Sequence, residues 1–253
     1  MDIDDGVNNY LTVDEEGAIE FYPGKYIIRT QLEAIKQLAS QQMVAIFQGQ
    51  SEIGPRALGN RSLMFDPTNP RAKVIVNEIK EREDFRPFAG TILLEYFEEY
   101  FVTEGIEESP WMSYAIPVKD EKVQEISSIV HHDFTCRVQT VTEEQNKNYY
   151  NLIKAWHEES GCPVIFNTSF NLGGEAMVES LAHAVDTCER SAINFIYVPE
   201  DQDIPYIQNF VKTEEQLEEL REIIAEGQEQ DEQEEFGNGE ALDLTSNDAF
   251  INS

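Results

Sequence analysis

The sequence predicts an α/β domain that is followed by a disordered acidic C-terminal tail. Three observations predict this class. Short apolar runs, typical of buried strands, alternate with segments whose apolar residues recur at helical spacing. Hydrophobic residues account for 41% and aromatic residues for 10% of the 253 residues, which is enough for a packed core. No apolar run approaches the roughly 18 residues that a membrane-spanning helix needs, so we expect no membrane insertion.

Four segments follow from composition and patterning. We interpret residues 1–25 as an irregular lead-in and residues 26–211 as the α/β domain. Residues 212–227 are predicted to form an amphipathic helix, because a capping-box pattern at Thr213 precedes an apolar stripe. Residues 228–253 lack core-forming periodicity and are strongly acidic, so they are predicted to be a disordered tail.

Four helices are predicted inside the domain. The first begins at a capping box on Thr30. The clearest covers residues 145–160, whose apolar residues share one face and whose expected stop is Gly161. The other two are expected at residues 70–83 and 180–190.

Six strands are predicted from short apolar runs and from alternating patterns. Their ranges are residues 43–47, 91–94, 114–118, 134–141, 163–166 and 195–198. Strands and helices mix along the chain without a repeat of fixed period, which favours one α/β domain over a solenoid.

The overall charge excludes one broad class of partner. Eighteen basic residues stand against 49 acidic ones, for a net charge of −31. A chain this acidic is repelled by nucleic acid, so we expect no nucleic-acid partner. The three cysteines are an odd number without a CxxC pair, and the N-terminus has no secretory signal pattern, so we expect a cytoplasmic protein.

Residues 56–86 have the opposite charge balance. They hold seven of the eighteen basic residues against five acidic ones. Surface ion pairs would explain such a cluster without any function, at about 0–1 kcal/mol each. The alternative that we favour is a site for an anion. A guanidinium group can donate two parallel hydrogen bonds to two oxygens of one phosphate or carboxylate group.

Two polar loops each follow a predicted buried strand. Residues 49–67 carry Arg56 and Arg61 between glycine turns, and contain neither a P-loop nor a GxGxxG motif. Residues 167–175 offer Asn167, Ser169 and Asn171 at a strand end, where α/β folds place their ligands. No histidine adjoins Ser169 in sequence, so we interpret this serine as a hydrogen-bonding residue and not as a nucleophile.

Three further basic residues are candidates for the same site. Lys80 and Arg86 converge only if the helix ends near Arg82, because Pro87 pushes Arg86 toward extended geometry. Arg137 is the one basic residue of a predicted strand that alternates with apolar residues. A position in the anion site and a position on a solvent-exposed face of the sheet are equally compatible with this pattern. The four histidines show no metal-ligand spacing, so we expect no protein-bound metal site.

Four long segments in order make the sequence similar to the C-terminal region of the O-carbamoyltransferases, which carbamoylate nodulation factors and several antibiotics. They lie within residues 48–180 and read QGQSEIGPRALGNRSLMFDP, VNEIKEREDFRPFA, TCRVQTV and CPVIFNTSFNLGGEAMVES. The resemblance implies a twisted mixed sheet with a central cavity. It also implies a module that forms carbamoyl-adenylate from carbamoyl phosphate and ATP, with Mg²⁺ accompanying the nucleotide. A related module occurs in threonylcarbamoyl-adenylate synthases and hydrogenase-maturation carbamoyltransferases.

The resemblance also implies roles for the candidate residues. Catalysis is expected from Lys80, Arg86 and Arg56. Substrate and nucleotide binding are expected from Arg56, Arg61, Lys80, Arg86, Arg137, Asn167, Ser169 and Asn171.

A metal-dependent transfer domain precedes this module in the family, so the resemblance implies that a separate transfer subunit passes the carbamoyl group to a hydroxyl acceptor. One alternative is a non-catalytic nucleotide-binding or regulatory subunit of a split carbamoyltransferase. The other is a threonylcarbamoyl-adenylate-type enzyme of tRNA metabolism, which the motifs and the net charge disfavour.

Overall fold

A computed structural model describes residues 12–13 and 18–202. The predicted helix at residues 212–227 and the predicted tail at residues 228–253 lie outside these ranges. Within them the chain forms one mixed α/β domain, as the sequence predicts.

Ten strands occur in the described ranges. They are β1 (Thr12–Val13), β2 (Ile19–Tyr22), β3 (Lys25–Ile28), β4 (Val44–Phe47), β5 (Arg61–Phe65), β6 (Ala89–Leu93), β7 (Ala115–Pro117), β8 (Thr135–Val141), β9 (Val164–Ser169) and β10 (Phe195–Tyr197). They join into a single sheet in the order β1-β2-β3-β10-β4-β5-β9-β6-β8-β7.

The sheet is mixed. Strand β10 runs parallel to both β3 and β4, and β6 runs parallel to β8. Antiparallel pairing joins β4 to β5, β5 to β9 and β9 to β6. The last strand in sequence thus lies between two of the first ones, which ties the two ends of the described domain together.

Five α-helices of the described ranges cover the sheet. They are α1 (Gln31–Ala39), α2 (Ala72–Ile79), α3 (Phe97–Tyr100), α4 (Lys147–Ser160) and α5 (Leu181–Glu189), with a 3₁₀ turn at Leu94–Tyr96. Thr30, Asn146 and Ser180 cap α1, α4 and α5 by accepting backbone N–H bonds. Gly161 ends α4 in the left-handed conformation, as predicted. None of the helices in the described ranges has the length and apolar character needed to cross a bilayer.

Both faces of the sheet are buried, so neighbouring residues of a central strand enter different cores. Leu63 and Phe65 of β5 pack with α2 and α5, whereas Met64 packs with α1 and α4. Strand β9 repeats this division, because Phe166 faces the first core and Ile165 the second. Burial on both faces explains why these strands are continuously apolar.

Three of the differences from the prediction concern strands that the predicted ranges did not include in full. The irregular lead-in predicted for residues 1–25 contains β2 and the start of β3, which pair as an antiparallel hairpin. The loop predicted for residues 49–67 contains β5, whose five residues are all buried and therefore show no alternation. The loop predicted to start at Asn167 begins only after Ser169, because β9 continues through polar residues that pair with β5.

Candidate functional site

A cavity of about 150 Å³ opens beside the middle of the sheet. Three stretches of chain that are distant in sequence line it, together with four single residues. Its lining consists of Pro55, Arg56, Ala57, Arg82, Pro87, Phe88, Ala89, Met112, His131, Arg137, Asn167, Thr168 and Ser169.

Strand register brings three of these residues side by side. Ala89 of β6 pairs with Arg137 of β8 on one side and with Asn167 of β9 on the other. The side chain of Asn167 is almost fully buried, with 1% exposure. The floor of the cavity is therefore set by sheet pairing and not by mobile loops.

Arg56 lies on the loop between β4 and β5, and a carboxylate shapes that loop from within. Oε1 of Glu52 accepts hydrogen bonds from the backbone N–H groups of Leu58 and Asn60, both at 2.8 Å. These bonds close the loop on itself and leave Arg56 exposed at its tip, against the cavity.

Close packing fixes the base of the same loop. Gly59 has a φ of +106°, and a Cβ atom there would lie 2.3 Å from the ring of Tyr149. Its carbonyl accepts a 2.7 Å hydrogen bond from Gln48, and its N–H donates to Ser62 at 3.0 Å. Only glycine satisfies both the backbone angle and the contact.

Arg82 follows α2 and is held from several sides. Its Nε donates to Oδ1 of Asn77 at 2.7 Å, and its guanidinium lies over the ring of Phe88 at 4.2 Å. Its Nη2 is buried and has no hydrogen-bond partner within the described residues. Arg82 thus brings an unsatisfied donor to the cavity wall.

The described residues that line the cavity carry a net positive charge. Its lining carries three guanidinium groups, and none of the described residues that line it is acidic. Burial and the neighbouring charge of Arg137 both lower the pKa of Arg56. Burial and the charge of Arg86 lower the pKa of Arg82. An anion in the cavity would relieve this repulsion.

Lys80 lies near the cavity but does not line it. It caps the C-terminus of α2 with 2% exposure, and its Nζ donates to the carbonyls of Ser169 and Asn171 and to Oδ1 of Asn171. Burial lowers its pKa to about 7. The lysine therefore holds the end of β9 and the following loop in place.

Arg61 has a comparable supporting position. It is 3% exposed and donates to backbone carbonyls of two loops, including those of Gln48 at 2.5 Å and Glu179 at 3.1 Å. Its guanidinium lies over the ring of Phe47 at 3.7 Å. It joins the loop after β4 to the segment before α5.

Arg86 lies in a neighbouring surface hollow, which Arg82 also lines. Its side chain is 51% exposed and forms an ion pair with Glu83 at 2.8 Å. The helix ends at Ile79, earlier than the predicted residue 83, and the chain then turns through Glu81 at a φ of +52°. This turn brings Arg82, and not Arg86, to the cavity.

The structure thus brings together four of the predicted site residues, Arg56, Arg137, Asn167 and Ser169. Sequence reasoning missed Arg82 and His131. Arg82 was visible only as a member of the basic stretch. His131 has no sequence signal, because it reaches the cavity through tertiary packing and is oriented by a 3.0 Å contact between its Nε2 and the carbonyl of Phe88.

No group of three or more histidine, cysteine or acidic residues is arranged to hold a metal ion in the part of the chain that the structure describes. The donors at the cavity are guanidinium, amide, hydroxyl and imidazole groups. Such a set suits a small anion that also carries hydrogen-bonding groups.

The fold and the cavity together define a mixed α/β domain with a cationic ligand cavity. The chain belongs to the carbamoyltransferase C-terminus family, whose model matches residues 35–202. This confirms the family resemblance of the sequence motifs.

Relatives support the same assignment. The chain is 40% identical over 156 residues to the nodulation protein NolNO of Sinorhizobium fredii. The aligned region covers 61% of this chain and 23% of that protein. It is 36% identical over 161 residues to the 3'-hydroxymethylcephem-O-carbamoyltransferase of Amycolatopsis lactamdurans, covering 64% of this chain and 30% of that protein. The chain therefore matches 23% to 30% of the length of these relatives.

Among solved structures, the fold is similar to that of P. abyssi Sua5 in complex with L-threonine. The TM-score is 0.50 at 15% sequence identity, over 68% of this chain and 48% of that one. At this identity the similarity concerns the fold alone.

Proposed function

We propose that this domain binds carbamoyl phosphate and ATP and forms carbamoyl-adenylate. The observation that carries the proposal is the cavity lined by Arg56, Arg82 and Arg137 without a carboxylate. Family membership supplies the carbamoyl chemistry, because relatives in this family include carbamoyltransferases. Adenylate formation goes beyond family membership and is part of the proposal.

The proposed reaction balances with one water molecule. Hydrolysis of carbamoyl phosphate releases phosphate and leaves carbamate in the cavity. An oxygen of carbamate then forms a bond to the α-phosphorus of ATP, and the bond from that phosphorus to pyrophosphate breaks. The products are carbamoyl-adenylate, phosphate and pyrophosphate.

The lining residues have distinct roles in this proposal. The three arginines bind phosphate oxygens and offset the negative charge that develops as the phosphorus is attacked. The hydroxyl of Ser169 contributes a hydrogen bond. Arg61, Lys80 and Asn171 keep the surrounding loops in place, and Arg86 lies at the edge of the region, where it contributes at most to the outer part of the nucleotide.

Mg²⁺ fits this site only as a companion of the nucleotide. No described residue of the cavity lining is a carboxylate, so the ligands for the ion would be ATP phosphate oxygens and water. When bound, the ion would neutralise charge on the phosphates.

A second protein component follows from the chemistry of the product. Carbamoyl-adenylate is a reactive mixed anhydride, and a partner that excludes water would protect it until transfer. The relatives are three to four times longer than the matched region, so they have room for such a component in the same chain. We propose that a separate metal-dependent transfer subunit performs this role here and passes the carbamoyl group to a hydroxyl acceptor.

The direct test is to incubate the full chain with ATP, Mg²⁺ and carbamoyl phosphate, and to follow phosphate and pyrophosphate. We expect pyrophosphate release that requires carbamoyl phosphate and falls at least about tenfold in Arg56→Ala and Arg137→Ala. Arg71→Ala is the matched control, because Arg71 is an exposed arginine outside the cavity. ATP binding without pyrophosphate release would instead favour a non-catalytic nucleotide-binding subunit.

A further inference from the structure

Asn167 lines the cavity, and its Oδ1 has no hydrogen-bond partner within the described residues. We propose that Oδ1 of Asn167 accepts a hydrogen bond from the amide N–H of the carbamoyl group. The cavity would then select carbamoyl phosphate over acyl phosphates that lack this N–H. The inference rests on the proposed function and adds to it the group that recognises the carbamoyl amide.

Hydrogen bonds fix which end of the Asn167 amide is oxygen. Its Nδ2 lies 3.1 Å from the carbonyl oxygen of Ala57 and 2.9 Å from Oγ1 of Thr91. A carbonyl oxygen only accepts, so the atom beside it must be the N–H₂ group. Rotating the amide by half a turn would place two carbonyl-type oxygens against each other.

The surrounding network leaves no freedom for the opposite assignment. Nε2 of Gln139 donates to the carbonyl of Leu58 at 3.0 Å, so its Oε1 is an acceptor, 3.3 Å from Nδ2 of Asn167. The hydroxyl of Tyr149 donates to Thr91, whose own hydroxyl donates to Oε1 of Gln139 at 2.9 Å. These bonds make Oε1 of Gln139 an acceptor and Nδ2 of Asn167 a donor.

Oδ1 of Asn167 is left over. It is buried and has no hydrogen-bond partner within the described residues, although the residue lines the cavity. A buried acceptor without a partner costs about 1–3 kcal/mol. A ligand that donates an N–H would remove this cost, whereas a ligand with a methyl group in the same place would retain it.

The ligand is identified by the combination of groups. The arginines call for anionic oxygens, and Oδ1 of Asn167 calls for an N–H donor close to them. Carbamoyl phosphate carries a phosphate and an amide within one small molecule. The adenine amino group of ATP is the other source of such a donor, but a ribose separates it from the phosphates, whereas Arg137 and Asn167 both pair with the same residue, Ala89.

The test compares carbamoyl phosphate with acetyl phosphate, in which a methyl group replaces the amide nitrogen. Binding to the full chain is measured by calorimetry. We expect wild type to bind carbamoyl phosphate at least about tenfold more tightly, since a site with a buried acceptor rejects an analogue that lacks the donor. In Asn167→Ala this preference should fall to near unity, with acetyl phosphate affinity little changed.

Thr91→Val is the matched control. It removes a hydroxyl from the same buried network but not from the cavity lining, so it should lower stability and still prefer carbamoyl phosphate. Thermal unfolding of both variants separates loss of fold from loss of recognition. If Asn167→Ala does not fold, Asn167→Leu, which keeps nearly the same side-chain volume and lacks the acceptor, takes its place, and equal affinity of wild type for the two ligands still refutes the inference.

Three results would overturn the inference. Equal affinity of wild type for the two phosphates would refute it while leaving anion binding intact. An unchanged preference in Asn167→Ala would also refute it. So would a wild type that binds inosine triphosphate more weakly than ATP, if this difference disappears in Asn167→Ala, because Asn167 would then recognise the adenine amino group. Failure of both acyl phosphates to bind wild type would refute the proposed function itself.

Discussion

Two arginines four positions apart, Arg82 and Arg86, have opposite environments. Arg82 lines the cavity, is held by Asn77 and Phe88, and has an unsatisfied buried donor. Arg86 is half exposed and paired with Glu83. The family resemblance implies a catalytic role for Arg86, and the cavity lining adds Arg82 as a further candidate.

This difference gives a sharp prediction for the two alanine variants. Arg82→Ala should reduce carbamoyl phosphate affinity at least about tenfold, since a buried charged hydrogen bond is lost. Arg86→Ala should change it by less than about threefold, as expected for a surface ion pair. Calorimetric titration of both variants measures this, and a larger loss in Arg86→Ala would contradict the placement.

Lys80 has a role that depends on pH. Burial lowers its pKa to about 7 from an ordinary value of 10.5. Between these values the unfolded chain binds more protons than the folded one, so this group makes the protein more stable as pH rises from about 7 toward 10.5. Below pH 7 both states are charged, and the cost of burying the ammonium is fully present.

Lys80→Met removes this dependence. Relative to the variant, the free energy of unfolding of wild type should rise by roughly 1 kcal/mol per pH unit between about pH 7.5 and 9.5. Urea unfolding at a series of pH values measures the difference. Parallel curves for the two proteins would show that the lysine keeps an ordinary pKa in the folded state.

At the scale of elements, the conformation of the loop from Glu52 to Asn60 depends on particular side chains. Glu52 closes it through backbone N–H groups, and Gly59 packs against Tyr149 of α4. The loop therefore presents Arg56 from a base that is fixed by a strand on one side and a helix on the other.

Two glycines in this loop allow the packing contribution to be isolated. Both have positive φ, +106° at Gly59 and +128° at Gly54, but a Cβ would clash with Tyr149 only at Gly59. Gly54→Ala should destabilise by about 1–2 kcal/mol from backbone strain. Gly59→Ala should cost about 2–3 kcal/mol more from overpacking. Equal losses in urea unfolding would show that Tyr149 moves aside easily.

The sequence predicts these elements unevenly, for physical reasons. Helices α1 and α4 could be placed closely because their caps and apolar stripes are local signals. Strand β5 was missed because burial on both faces removes alternation and because its first residue, Arg61, resembles a loop residue. The polar end of β9 was missed because Asn167 and Ser169 are paired there by register, which is a property of the sheet.

The positive charge of the candidate site could be predicted from the sequence, but the full set of residues that line the cavity could not. The basic stretch and the two polar loops identified Arg56, Asn167 and Ser169. Lys80 and Arg61 carry the same charge but are used to hold backbone carbonyls, which only tertiary contacts reveal.

At the scale of the whole molecule, a cationic cavity belongs to a chain of net charge −31. An approaching phosphate is repelled by the distant acidic groups and attracted by the nearby arginines. Salt screens the distant groups more, because the Debye length falls from about 30 Å at 0.01 M to about 8 Å at 0.15 M.

We therefore expect the association rate of carbamoyl phosphate to rise severalfold over this range of salt. Stopped-flow fluorescence measures the rate, and Arg137→Ala should show the same trend at lower affinity. A rate that falls with salt would mean that the cavity arginines dominate the long-range field.

The central claim, that this domain activates a carbamoyl group as its adenylate, is tested most directly by exchange of radioactive pyrophosphate into ATP. The exchange reports reversible attack on the α-phosphorus and needs no acceptor. We predict exchange on the full chain that requires carbamoyl phosphate and is lost in Arg137→Ala. Binding of both ligands without exchange, or exchange that proceeds without carbamoyl phosphate, would contradict the account.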